Sequence, residues 1–258
     1  MIRRELGYFL GAVGFFTRLP VPGRVGHSAA ALSQCARYFP AVGLLVGGIG
    51  ALVYWLALHG WPQPVAVLLS MAATLYATGA FHEDGLSDTA DGLGGGWDKA
   101  RILAIMKDSR VGSYGVVALV LALLGKFALL SGIEPARVPA ALLAGHAVSR
   151  FSATLLMATL DYARDDDHSK ARPATGRPSP ASLLLAAGFA LLPLLWLPLA
   201  KALAGMVFVA LAAFWLAAKF RRWLGGYTGD CLGAVQQLTE LAFYLGLALH
   251  WPGVVAGG

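Results

Sequence analysis

Residues 111–130 read VGSYGVVALVLALLGKFALL, with Lys126 as the one charged residue in the run. A helix of about 20 mostly apolar residues rises about 30 Å, the thickness of the bilayer hydrocarbon. Similar stretches run from Pro40 to Leu58, Pro62 to Phe81, Val138 to Leu160, Ala181 to Ala200, Ala202 to Ala218 and Leu238 to Val255. Pro252 and the neighbouring glycines blunt the last one. The pattern predicts an all-α, polytopic integral membrane helix bundle with six or seven transmembrane helices.

Composition agrees. The 258 residues are 57% hydrophobic and 13% charged, against about 25% charged in a soluble domain. No linker or low-complexity run divides the chain, so residues 1–258 are expected to form a single membrane domain. Arg3 and Arg4 precede Leu6 to Phe16, which is too short and Gly-rich to span and lacks a convincing cleavage site. It is expected to be an N-terminal interfacial helix. Cys35 and Cys231 are far apart and imply no disulfide framework.

The 20 Lys and Arg residues give an orientation. Five precede the first span, four lie between Lys99 and Arg110, four between Arg164 and Arg177, and three between Lys219 and Arg222. With seven alternating spans these 16 share one side, and the other side receives Arg137 and Lys201. The positive-inside rule makes the richer side cytoplasmic. The formal charge of +6 therefore reads as topology and as attraction to anionic lipid. No interleaved aromatic and basic patch points to nucleic acid.

Six of the 14 acidic residues fall between Glu83 and Asp108. The core reads His82-Glu83-Asp84-Gly85-Leu86-Ser87-Asp88-Thr89-Ala90-Asp91-Gly92. On a helix continuing the second span, Asp84, Asp88 and Asp91 share one face. Stacked like charges destabilise a helix, and a divalent cation compensates them. Magnesium suits carboxylate oxygens and shares its shell with substrate phosphate. Gly92, Gly94, Gly95 and Gly96 follow and allow backbone to approach a ligand. A solvated acidic loop is the plain alternative, but these carboxylates abut a span in helical register.

Downstream, Lys107 and Arg110 stand at a membrane entrance in Ile105-Met106-Lys107-Asp108-Ser109-Arg110-Val111-Gly112-Ser113-Tyr114-Gly115. They suit phosphate or headgroup snorkelling. Asp108 could be a further ligand or a base. Two membrane chemistries use such carboxylates. CDP-alcohol phosphotransferases carry D-x-x-D-G-x-x-A-R, whose first half matches Asp88 to Gly92, but Gly95 and Gly96 stand where Ala and Arg belong. Intramembrane prenyltransferases need two aspartate-rich motifs; here one is strong and Asp230 is a lone second candidate.

The run His82 to Gly92 joined to Ile105 to Gly115 closely resembles the adenosylcobinamide-GDP ribazoletransferase (cobalamin synthase) family. Further resemblance lies in Phe16-Thr17-Arg18-Leu19-Pro20-Val21-Pro22, Tyr38-Phe39-Pro40-Ala41-Val42-Gly43 and Gly229-Asp230-Cys231-Leu232-Gly233-Ala234. The blocks run in order over most of the chain. Glu83 departs from the family, which more often has an apolar residue there; it lies off the carboxylate face.

The resemblance implies a magnesium-dependent phosphotransferase of the bacterial cytoplasmic (inner) membrane, with its active site facing the cytoplasm. A hydroxyl of α-ribazole, or of its 5′-phosphate, attacks the cobinamide-linked phosphorus of adenosylcobinamide-GDP, and GMP leaves. Asp84, Asp88 and Asp91 would hold Mg2+, Lys107 and Arg110 non-bridging oxygens, and Asp108 the acceptor's proton. Arg18, Arg150 and Asp230 join the substrate-binding set. Expected partners are the two substrates and the lipid bilayer, with a homo-oligomer left open.

Arg150 and His146 lie four apart in mid-span. A charge in hydrocarbon costs about 2.5–3.5 kcal/mol on insertion scales, so Arg150 should face the bundle interior, with a functional role or a carboxylate partner. His146 reads as a satisfied interior histidine, and Lys126 is given no role. Asp165, Asp166, Asp167 and His168 resemble metal ligands but lie in a polar loop and read as solvated. A cation transporter remains a rival of another class; its ion site would sit near the midplane within internal repeats, and no clear repeat is present.

Overall fold

Backbone polar groups in hydrocarbon must bond within their own segment, and a helix does this. The computed structural model describes residues 2–22, 34–164 and 177–249. Its helices are α1 Ile2–Phe16, α2 Phe39–Ala57, α3 Gln63–Thr78, α4 Phe81–Gly95, α5 Lys99–Ile105, α6 Ser113–Gly132, α7 Val138–Thr159, α8 Pro180–Leu191, α9 Leu199–Leu224 and α10 Gly229–Ala248. Short 3₁₀ turns at Ala36–Tyr38 and Pro135–Arg137 lead into α2 and α7, and one at Leu192–Trp196 extends α8.

By length and composition, four segments can cross a membrane: Ala36–Ala57, Ser113–Gly132, Pro135–Thr159 and Leu199–Leu224. The pair α3 and α4 qualifies as a fifth only if counted together across an 87° bend. The expected six or seven also count two further spans. One is α8 with its 3₁₀ tail, apolar but short. The other was placed at Leu238 to Val255, whereas the helix runs from Gly229 to Ala248 and buries Gln236, Gln237 and Glu240; residues 250–258 lie outside the described part.

Burial sorts the helices. The spanning window of α7 is 78% buried, but those of α6 and α9 only 22%. Thus α7 is central, and α6 and α9 turn Leu121, Leu124, Phe214 and Trp215 outward, as a lipid-facing surface requires. Helix α2 packs closely on α7 because Gly47 has no side chain; a Cβ there would stand 2.7 Å from the Leu142 carbonyl oxygen. Small residues permit such approach between membrane helices.

The acidic motif does not continue the second span. The chain turns at Gly79 (φ 65°) and Ala80 (φ 56°), both left-handed, and α4 leaves at 87° to α3. Glycine adopts this region freely, but a Cβ-bearing residue such as Ala80 is strained by about 1–2 kcal/mol. The acidic helix therefore breaks away from the direction of α3, and Glu83 on it is buried against α10. Hydrogen bonds gather other chain ends at the same level: Arg18 N–H to Ala77 O (2.8 Å), Ala163 N–H to Tyr227 O (2.8 Å) and Tyr227 N–H to Asp161 O (2.9 Å). At the opposite end, Gln63 Nε2 donates to Ile133 O at 2.7 Å.

Candidate active site

Helix α4 carries the three motif carboxylates in graded burial: Asp84 exposed, Asp88 half-buried, Asp91 buried. Asp91 accepts backbone N–H bonds from Gly112 (2.7 Å) and Gly115 (2.9 Å). It therefore satisfies free donors at the N-terminus of α6, where a negative charge is favoured. Each of its oxygens keeps a second lone pair.

The N-terminus of α10 delivers a fourth carboxylate. Thr228 caps α10 by accepting from Cys231 N–H at 3.2 Å, which places Asp230 in the first turn. Gly85 and Gly233 let α4 and α10 touch; a Cβ on Gly85 would lie 2.9 Å from Asp230 O and 3.2 Å from Gly233 Cα. Arg164 Nη2 pairs with Asp230 Oδ2 at 2.7 Å.

Burial, and then the neighbouring charges of Asp230 and Asp84, push the Asp88 carboxyl up to about 7, with Arg164 opposing and Asp91 adding slightly. Of this load, the spacing on α4 accounts for the parts from Asp84 and Asp91, whereas burial and Asp230 come from the packing. Among the described residues, no group of three or more His, Cys, Asp or Glu is gathered tightly enough to hold a metal by itself. Hard carboxylate oxygens still suit magnesium, which commonly takes one or two carboxylates and completes its shell with water and substrate phosphate.

The α5–α6 loop is different. Arg110 and Asp108 form a two-pronged pair, with Nη2 to Oδ2 at 2.6 Å and Nε to Oδ1 at 3.0 Å. These hydrogen bonds hold the Asp108 carboxyl down to about 2, which makes it a weak proton acceptor in this arrangement. Lys107 is exposed on the same loop. Arg18 stands at the α3–α4 elbow, where a Cβ on Gly79 would meet its guanidinium. Asp165, Asp166, Asp167 and His168 lie outside the described residues.

Arg150 is 2% exposed and belongs to a buried polar network that the sequence revealed only in part. Its Nη1 donates to His146 O at 3.0 Å and meets His146 Nδ1 at 3.2 Å. Glu240 is the hub. It receives Lys126 Nζ at 3.0 Å, Gln236 Nε2 at 2.5 Å and Tyr244 Oη at 3.1 Å, with His146 Nδ1 at 3.2 Å. Gln237 Nε2 links the network to Glu83 Oε1 at 2.8 Å, so α4, α6, α7 and α10 are tied together. A single acid inside the proposed last span was the signal for Glu240, and Lys126 was its partner.

Comparison with known proteins decides the family. The family model described as Cobalamin-5-phosphate synthase matches residues 8–248. This chain belongs to that family. Its cobalamin-5-phosphate synthase relatives include proteins named adenosylcobinamide-GDP ribazoletransferase. The one from Shewanella woodyi is 47% identical over 252 residues, covering 95% of this chain and 96% of the relative. That from Ralstonia pickettii is 49% identical over 244 residues (93% and 94%), and that from Leptothrix cholodnii 48% over 261 residues (96% and 97%). No solved structure matches the chain. For a cobalamin-5-phosphate synthase, the acidic helix, the Asp230 turn and the basic loop at one end of the bundle form the candidate active site.

Proposed function

We propose that this membrane enzyme transfers the cobinamide phosphate of adenosylcobinamide-GDP to α-ribazole or its 5′-phosphate, releasing GMP. The observation that carries the reading is the carboxylate group on α4, joined by Asp230 and held at one face of the bundle, in a chain matched to the family over residues 8–248. By the Lys and Arg distribution that face is cytoplasmic, and a bacterial inner membrane is the expected location.

Phosphoryl-type transfer depends on positioning and charge stabilisation more than on covalent help. Of the motif carboxylates Asp84, Asp88 and Asp91, one or two would hold Mg2+ at a time, with water and substrate phosphate completing its shell and the remaining charge close by. Bound there, the ion would neutralise the diphosphate and the departing GMP. Lys107 and Arg110 sit on the adjacent loop to receive non-bridging oxygens. Substrate phosphate would compete with Asp108 for Arg110, an exchange available to an exposed pair, since such pairs are weak in water. No strong base is required, and Asp108 is not assigned that role. Arg164 holds Asp230 in place beside the motif.

The alcohol oxygen of the acceptor bonds to the cobinamide-side phosphorus while the bond from that phosphorus to the bridging oxygen breaks. The bridging oxygen leaves with GMP, and the proton of the acceptor hydroxyl is released to solvent or to the departing GMP. A phosphorus label on the guanosine side tests this with purified enzyme and magnesium: all label should appear in GMP. Label in an α-ribazole–guanosine diester, or in the corrinoid with release of guanosine, would place attack at the other phosphorus. Consumption of CDP-alcohol or prenyl diphosphate, without corrinoid turnover, would overturn the assignment.

A further inference from the structure

Beside the carboxylates lies a partly enclosed cavity of about 50 Å³. At roughly 10–15 Å³ per water centre it has room for about four waters, or about 120 Å³ of liquid. That is comparable to a bicyclic heteroaromatic ring. Its walls include Phe16, Phe39, His82, Arg150, Ala153 and Tyr227. Phe16 and His82 lie nearly parallel, 15° apart with centroids at 5.3 Å, and Phe39 meets Phe16 edge-on at 4.5 Å. Flat aromatic walls favour a flat aromatic guest.

Two polar atoms of the lining have no hydrogen-bond partner: Arg150 Nε and Tyr227 Oη. Each belongs to a residue only 2% exposed. A buried donor left unmade costs about 1–3 kcal/mol, so each is a place for a ligand group. Gly229 and Gly233 also line the cavity, and they flank Asp230 on α10.

We infer that this cavity binds the base of the acceptor nucleoside, a benzimidazole-type ring; the inference rests on the transferase reading above. Such a base has an apolar bicyclic body and a single free acceptor nitrogen, which suits the unpartnered Nε–H of Arg150. The Tyr227 hydroxyl is left for a sugar hydroxyl. Guanine, the base of the other substrate, carries several donors and acceptors and fits a mostly apolar lining less well. The corrin macrocycle is far too large. With the base seated, the ribose emerges towards Asp230 and the α4 carboxylates, where its hydroxyl must meet the phosphorus. Arg150 thus acquires a contact that its network role alone does not require.

The test uses full-length protein in nanodiscs, with calorimetric titration of α-ribazole and two-substrate kinetics. Ala153→Leu fills the cavity with hydrocarbon. It should weaken α-ribazole binding and raise its KM by about 10-fold or more, with under about 2-fold change in KM for adenosylcobinamide-GDP. Tyr227→Phe removes a hydroxyl that bonds no protein group and should weaken α-ribazole by about 3–10-fold. If Ala153→Leu does not fold, titration of Tyr227→Phe decides alone. Unchanged α-ribazole affinity in folded Tyr227→Phe, or loss directed at adenosylcobinamide-GDP instead, overturns the inference. Wild-type protein that binds α-ribazole but transfers nothing would overturn the transferase reading and not the cavity.

Discussion

Lys126 Nζ lies 3.0 Å from Glu240 Oε1, with the Lys126 side chain 8% exposed and that of Glu240 fully buried. The pair joins α6 to α10 inside the bundle. Removing one partner of a buried pair strands the other charge, at a cost of about 3–5 kcal/mol. Glu240→Gln and Lys126→Met should therefore each lower the midpoint of thermal unfolding in detergent. The double variant should recover part of the loss. Equal stability of the single variants and the wild type would show the pair to be idle.

The motif aspartates should separate by role. Asp84→Asn, Asp88→Asn and Asp91→Asn should each nearly abolish transfer, because each removes an anionic ligand at constant size. Asp91→Asn should also cost about 1–2 kcal/mol of stability, since Asp91 bonds two backbone donors of α6. Asp88→Asn should do the reverse in metal-free protein. A carboxyl raised to about 7 is destabilising when ionised, so metal-free stability falls as pH rises from the ordinary carboxyl range through 7. The variant escapes that loss, and the gap should close near pH 4. Thermal unfolding with and without Mg2+ reads both effects. Full transfer in two of the three variants would move the metal site elsewhere.

Arg110→Gln and Lys107→Gln should raise KM for adenosylcobinamide-GDP by roughly 10-fold, the worth of one charge-assisted hydrogen bond. Turnover should fall as well if the contact tightens in the transition state. Asp108→Asn should leave turnover within about 3-fold, because direct displacement by the acceptor does not depend on a strong base. Steady-state kinetics distinguish these outcomes, and unchanged constants for both cations would return them to headgroup contact.

Orientation can be read with added thiols. Cys35 is 3% exposed and Cys231 fully buried, so the native thiols should stay silent. Trp97 is 85% exposed on the stretch after the acidic helix, and a side chain at Gly60 meets open space near the other end. Gly60→Cys should react with an impermeant maleimide in intact cells, and Trp97→Cys only after lysis. The opposite pattern would invert the topology.

The long apolar runs and the helical spacing of Asp84, Asp88 and Asp91 were legible because they are local: hydrocarbon thickness sets a length, and 3.6 residues per turn sets a face. Asp230 was visible only as a lone acid after glycines. Its partnership with α4 depends on Gly85 and Gly233 meeting across 148 positions of chain, which no local pattern encodes. The pairing of Asp108 with Arg110 was equally hidden, since adjacency in sequence does not say whether two side chains fold onto each other or reach for a ligand.

Sequence by itself determined the class of the molecule: a helical membrane protein with one acidic face and a biased distribution of cations, because transfer energies act residue by residue. Tertiary structure alone decided the bend at Gly79 and Ala80, the use of Asp91 to hold α6, the hub at Glu240 and the aromatic cavity beside Asp230. All but the bend join residues distant along the chain. Their geometry follows from which helices pack, and that is settled by the whole bundle together.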